Sequence, residues 1–157
     1  GPGEVPGQYR NVIPNFVYWS MLEKSLPLTG TGDETRDFTY VLDLVQGLIK
    51  AAFYKDAIGQ AFNLASGKET KIKNMISMVN DATGNLTPVT KFPPRKWDTK
   101  KRLLASIELA ANLIDYKPIV SFEDGLKSNF QWFKNNWEKI QKDADFPIGM
   151  SSAVRKK

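Results

Sequence analysis

Two arginines stand where their neighbours suit an anion. Arg36 follows the polar turn Gly30-Thr31-Gly32-Asp33-Glu34-Thr35 and precedes Asp37-Phe38, after which an apolar helical pattern begins. A guanidinium at the mouth of a helix, fed by a tight glycine turn, suits a dianion such as a diphosphate, although a local Arg–Asp ion pair is the commoner use of such residues. Arg95 opens a second cluster, Arg95-Lys96-Trp97-Asp98-Thr99-Lys100-Lys101-Arg102, whose entry Pro93-Pro94 fixes. Arg95 and Asp98 could serve a phosphate and a ribose hydroxyl, because Arg forks onto phosphate oxygens and a carboxylate accepts from a sugar O–H. The same cluster also suits a solvated basic loop, or a single-stranded nucleic-acid patch with Trp97 as stacking platform. Asp33, Glu34, Asp37 and Asp43 are close enough in sequence to raise acid–base chemistry. Turn solvation explains the first two better, helix capping Asp37, and a helix-face contact Asp43.

Composition narrows the chemistry. The 157 residues contain no cysteine and no histidine, which removes thiolate catalysis, a Ser-His-Asp triad and most zinc sites. Lack of cysteine mildly favours a cytoplasmic setting. No apolar run approaches the ~20 residues of a membrane helix. The net charge of +5 is spread along the chain, apart from Arg95 to Arg102 and the tail Arg155-Lys156-Lys157, which reads as a solvated end. No Walker-type or GxGxxG loop is present, and Gly30-Thr31-Gly32 is too short to be one.

The positioning elements read as α/β or α+β. Helices are expected over Asn11 to Lys24 with Pro14 in the first turn, over Asp37 to Phe53 with Tyr40, Val41, Leu44, Val45, Leu48, Ile49 and Ala52 buried, and over Lys71 to Ala82 with Thr70 as N-cap. Ser106 to Asp115 forms a short helix with Ser106 as N-cap and Leu109, Leu113 and Ile114 inward. A last long helix is capped by Ser121, and its stripe Phe122, Leu126, Phe130, Phe133, Trp137 and Ile140 reads as packing. Extended pieces are expected at Leu26 to Thr29, Ala61 to Ala65 and Pro88 to Phe92. The opening Gly1-Pro2-Gly3-Glu4-Val5-Pro6-Gly7 reads as turn, an unusual start for a domain, and suggests that the chain begins within a larger one.

The order of segments resembles the C-terminal half of an extended short-chain dehydrogenase/reductase, the NAD-dependent nucleotide-sugar epimerase/dehydratase family, with UDP-glucose 4-epimerase-like members nearest. The matching pieces are Gly1-Pro2-Gly3, Asn11-Val12-Ile13-Pro14, Leu26-Pro27-Leu28 with Gly30-Thr31-Gly32, Arg36 to Val41 with Asp43, Phe62 to Gly67, Arg95-x-x-Asp98, Tyr116-x-Pro118 and Ser121 to Leu126. The resemblance implies a Rossmann-type α/β fold with most of the dinucleotide-binding half absent. Residues 1–142 would be the nucleotide-sugar-binding portion and 143–157 a tail.

Carried over by position, it implies that Asn11 and Val12 meet the nucleotide diphosphate and that Pro27, Leu28 and Thr29 hold the base. Arg36 and Arg95 would grip the diphosphate, Ile72 would pack on base or ribose, and Asp98 would accept from a ribose hydroxyl. The ligand would be a UDP-sugar or another nucleotide-diphosphate sugar. NAD(P) is expected for the complete enzyme and not for this chain alone, and nucleic acid ranks last among partners. No catalytic or metal residue is assigned. The family's Tyr-x-x-x-Lys is missing: Tyr9, Tyr18, Tyr40, Tyr54 and Tyr116 are followed four residues on by Ile13, Leu22, Leu44, Ile58 and Val120. The chain therefore reads as the substrate-gripping part of such an enzyme or, alternatively, as a non-catalytic nucleotide-sugar-binding or protein-interaction module from a truncated gene product. The Phe62 to Ala65 and Tyr40 to Phe53 segments would face the missing half, leaving apolar surface.

Overall fold

The computed structural model describes residues 1–8, 10–96 and 99–146. The elements run α1 (Val12–Met21), β1 (Pro27–Thr29), β2 (Thr35–Arg36), α2 (Val41–Phe53), β3 (Thr70–Lys71), α3 (Ile72–Thr83), β4 (Thr90–Phe92), α4 (Glu108–Ile114), α5 (Phe122–Asn135) and α6 (Trp137–Asp143), with one 3₁₀ turn at Lys55–Ala57. This is the α/β arrangement expected, with its strands short and in two separate pairs.

The main core forms where α1, α3 and α5 bring their apolar faces together. Phe16 and Val17 from α1, Met75, Ile76 and Val79 from α3, and Leu126 and Phe133 from α5 are buried with Leu26, Leu28 and Ile140. Each such side chain contributes about 1.5–3 kcal/mol by leaving water. The aromatic stripe is packing, as its spacing suggests. The last helix is broken at Asn136, however, whose side chain donates to the Trp132 carbonyl at 2.9 Å as α6 begins. Ser121 caps α5 by accepting from the Asp124 amide at 3.0 Å. Gly84 ends α3 at φ 76°, a left-handed position that suits glycine.

β1 and β4 pair in parallel, Pro27 opposite Thr90 and Thr29 opposite Phe92. Parallel strands need a crossover, and here it contains β2, α2, β3 and α3. β2 and β3 pair antiparallel, Thr35 opposite Lys71 and Arg36 opposite Thr70. Thr70 therefore belongs to a ladder and does not cap α3, which starts from Lys71 without a side-chain cap. A second small core lies under α4, where Ala110, Ile114 and Tyr116 are buried against Leu64 and Phe62.

Four expectations are corrected. Ala61 to Ala65 has no ladder partner among the described residues and forms no strand. α2 starts at Val41, four residues after Asp37, so Asp37 is not its cap. The face of α2 expected inside is outside: Leu44, Val45, Leu48 and Ile49 are 36%, 40%, 56% and 55% exposed, while Asp43 and Gly47 are its buried residues. The helix sits so close on its neighbours that a Cβ at Gly47 would stand 2.7 Å from Leu64 Cδ2 and 2.9 Å from Tyr116 Cδ2. In α4 the helix begins at Glu108, Ala110 takes the buried place, and Leu109 is exposed.

Residues just past position 142 also pack. The Gln8 amide donates to the Asp145 carbonyl at 3.0 Å, and Phe146 stacks on Tyr18 with ring centroids 5.6 Å apart. The basic end of the tail lies outside the described residues.

Candidate functional site

The structure places several of the expected ligand-binding residues in two neighbourhoods. The first is the start of α1. Its opening amides have no carbonyl of a preceding turn to bond, which makes the site favourable to negative charge. Glu4 supplies that charge: its Oε1 accepts from the Asn11 backbone N–H at 3.2 Å and from Asn11 Nδ2 at 3.0 Å. Asn11 and Val12 line a cavity of about 230 Å³ with Glu4, Phe38, Tyr40 and Asn129. Asn129 is 2% exposed, and neither polar atom of its side chain has a hydrogen-bond partner.

The second neighbourhood is a small polar corner around β2. Gly30 and Gly32 turn the chain at φ 81° each. The turn is held by Glu34, whose Oε2 accepts from the Gly32 amide at 2.9 Å; its own backbone amide first, and then those of Gly32 and Thr31, keep its carboxyl below the usual carboxylate range. Asp33 is likewise lowered, by hydrogen bonding to Lys73, 2.8 Å away, and Lys71. Arg36 follows, half-buried, with Nη1 donating to the Thr35 carbonyl at 2.8 Å and to the Lys100 carbonyl at 3.1 Å.

The free edge of β2 takes up a further strand-like segment. Thr35 N–H donates to Lys101 O at 2.9 Å, and Leu103 N–H donates to Thr35 O at 3.1 Å. Arg102 closes onto Glu69 through both Nε, 2.8 Å, and Nη2, 2.7 Å. Thr35 Oγ1 donates to the same carboxylate at 2.6 Å. Hydrogen bonds from Arg102 and Thr35 hold the Glu69 carboxyl down to about 2, and Glu69 in turn raises Arg102.

Of the remaining expected residues, Pro27, Leu28 and Thr29 form β1, with Leu28 buried, and Ile72 opens α3 beside β2, its amide donating to Glu34 O at 2.9 Å. Arg95 follows β4, half-buried, and its Nε is buried without a hydrogen-bond partner. Asp98 and Trp97 lie outside the described residues.

The acids near Arg36 are structural. Asp37 accepts from Ser66 N at 2.9 Å, Ser66 Oγ at 2.5 Å and Gly67 N at 3.0 Å, shaping a turn whose glycine has φ 67°. Asp43 accepts from the Ile119 and Val120 amides at 3.1 and 3.0 Å. The oxygens of both carboxylates are taken up by these backbone and hydroxyl donors. Sequence reasoning missed Glu69 and Glu4. Glu69 lies 33 residues from Arg102, and no local signal links them. The acid of Gly3-Glu4-Val5 ahead of a helix start was the available clue for Glu4.

The turn Gly30-Thr31-Gly32 leads into a strand, and β3 passes directly into α3 with no glycine-rich turn between them. What the fold defines is an α/β unit with an anion-favouring helix start and a fixed arginine corner, and no described cluster of His, Cys, Asp and Glu that could hold a metal. No helix among the described residues is long and apolar enough to cross a membrane.

Comparison with known proteins agrees with this class. The model of the NAD dependent epimerase/dehydratase family matches residues 1–65. A UDP-N-acetyl-alpha-D-glucosaminuronate decarboxylase of Bacillus cytotoxicus is 29% identical over 139 residues, covering 85% of this chain and 43% of that protein. The epimerase Mth375 of Methanothermobacter thermautotrophicus superposes with a TM-score of 0.91 at 52% identity, covering 93% of this chain and 44% of that one. The Bordetella bronchiseptica enzyme WbmF, in a complex with NAD+ and UDP, superposes at 0.79 with 35% identity, covering 90% and 45%. The chain belongs to the NAD-dependent epimerase/dehydratase family of extended short-chain dehydrogenases/reductases. It spans less than half the length of these relatives.

Proposed function

We propose that this chain is the nucleotide-sugar-binding, C-terminal portion of an NAD-dependent nucleotide-sugar epimerase, dehydratase or decarboxylase. The observation that carries the reading is Arg36, half-buried and held on β2 by two carbonyls beside a glycine turn. A guanidinium fixed in this way is pre-organised for the oxygens of a diphosphate and loses little freedom on binding. Arg95, with its buried Nε, would add a second cation, and β1 would offer its backbone to the base. Asp98 would take a ribose hydroxyl, and Ile72 would pack against base or ribose. At the α1 start, a phosphate approaching Asn11 and Val12 would displace the Glu4 carboxylate, exchanging one anion for another. The solved complex of WbmF with NAD+ and UDP supports the ligand class, as a property of that protein.

NAD and the Tyr–Lys pair would come from a nucleotide-binding half, which would also cover the exposed side of α2. The setting would be cytoplasmic. Because no Tyr-x-x-x-Lys occurs within the 157 residues, the second reading is a module that binds a nucleotide sugar and catalyses nothing on its own.

Calorimetric titration with UDP tests the reading. Saturable binding is expected, weakened about tenfold or more by Arg36→Ala, the loss of one charge-assisted contact worth ~1.5–3 kcal/mol. Flat heats from a folded sample would overturn it, as would an Arg36→Ala variant that binds UDP like the parent.

A further inference from the structure

Arg36 and the Glu69–Arg102 ion pair are tied to opposite faces of one short strand. Side chains alternate along a strand, so Thr35 and Arg36 leave β2 on different sides. The Thr35 hydroxyl is bonded to Glu69, which places the ion pair on the Thr35 face. Glu69 belongs to the residue just before β3, along one edge of β2. Arg102 belongs to the segment bridged to the other edge, opposite Thr35. The carboxylate–guanidinium pair therefore straps the two edges together across the back of β2. The strapped segment also carries the Lys100 carbonyl that accepts from Arg36 Nη1 at 3.1 Å.

We propose that Glu69 and Arg102 are positioning residues for Arg36: their two-point pair, joined by the Thr35 hydroxyl, fixes segment 100–103 on β2 so that the Lys100 carbonyl aims the Arg36 guanidinium at a nucleotide diphosphate. This rests on the nucleotide reading above and adds to it a strap that does not itself touch ligand. Arg102, committed to Glu69 through two nitrogens, supports the site from behind and is not a third phosphate contact. A fork-to-fork pair is suited to the task, because it fixes direction as well as distance. An exposed pair of this kind adds little to global stability. The low position of Glu69 keeps the carboxylate charged across the neutral range.

The test uses the full chain and two probes, UDP and uridine, of which only the first has the diphosphate. Affinities are measured for the parent, Arg36→Ala, Glu69→Gln, Arg102→Gln and the double exchange Glu69→Arg with Arg102→Glu. Glu69→Gln and Arg102→Gln are expected to weaken UDP about tenfold, leave uridine unchanged and melt within about 2 °C of the parent, with the double exchange recovering most of the loss. Unchanged UDP affinity in both single variants, while Arg36→Ala loses it, overturns the strap and leaves the nucleotide reading standing. Equal loss for UDP and uridine also overturns it, since the pair then supports the fold and not the guanidinium. A parent that binds no UDP removes both.

Discussion

Asp43 shows how a single carboxylate can be structural in a segment rich in acids. It is 3% exposed, and both oxygens are occupied by consecutive backbone amides, Ile119 N–H and Val120 N–H. Burial of a charge is tolerated only when its lone pairs are satisfied in this way. Asp43→Ala strands two amides at once and is expected to cost ~2–4 kcal/mol, with Asp43→Asn less damaging because it retains one acceptor. Urea denaturation of the three proteins would check the order. Such roles are hard to read from sequence. Ser121 as a cap was legible because its partner lies three residues away, and the turn before Arg36 because glycine marks it. The partners of Asp37, Asp43 and Glu69 lie about thirty or more residues off, and nothing local names them.

Among the elements, α2 separates pattern from placement. Its apolar spacing is a sound helical signal, and the helix forms. The sequence does not say against what the apolar side packs, and within the described residues much of it stays open: Leu48, Ile49 and Phe53 are 56%, 55% and 81% exposed. The inner side is instead the narrow one, where Gly47 lets Leu64 and Tyr116 come close. An apolar face of this kind on one helix marks an interface. The chain by itself is expected to associate through this face as its concentration rises, as judged by sedimentation velocity, and Leu48→Lys with Ile49→Lys to abolish that association without changing helix content by circular dichroism. Association that survives the double change would place the interface elsewhere. The strand expected at Ala61 to Ala65 failed for a related reason: a strand needs a neighbour, and periodicity cannot supply one.

At the scale of the molecule, three carboxylates held low among the described residues gather in one corner. Asp33, Glu34 and Glu69 are all lowered by hydrogen bonds or cations around β2 and β3. A carboxylate lowered on folding contributes stability that is present above its unfolded value and lost as pH falls through the folded one. Stability from these three should therefore be present at neutral pH and decline as pH falls below the ordinary carboxylate range, for Glu69 through about 2. Thermal melts across that range check this; the change is small because solvent screens these exposed groups, and Glu69→Gln should remove its share of it.

The strand-like contact of Gly7 with Asp145 has a topological consequence. Gly7 is gripped by Asn15 from within, through two hydrogen bonds of 2.9 Å, and it stands opposite Asp145, near the far end of the described chain, to whose carbonyl the Gln8 amide donates at 3.0 Å. Almost all of the polypeptide is thus closed into a ring by non-covalent means, with the aromatic contacts of Phe146 on Tyr18 and Trp19 as its clasp. A nick in an exposed turn, such as that at Gly59, would leave both pieces tethered through the clasp, so that a cut backbone and a separated molecule are different events for this protein.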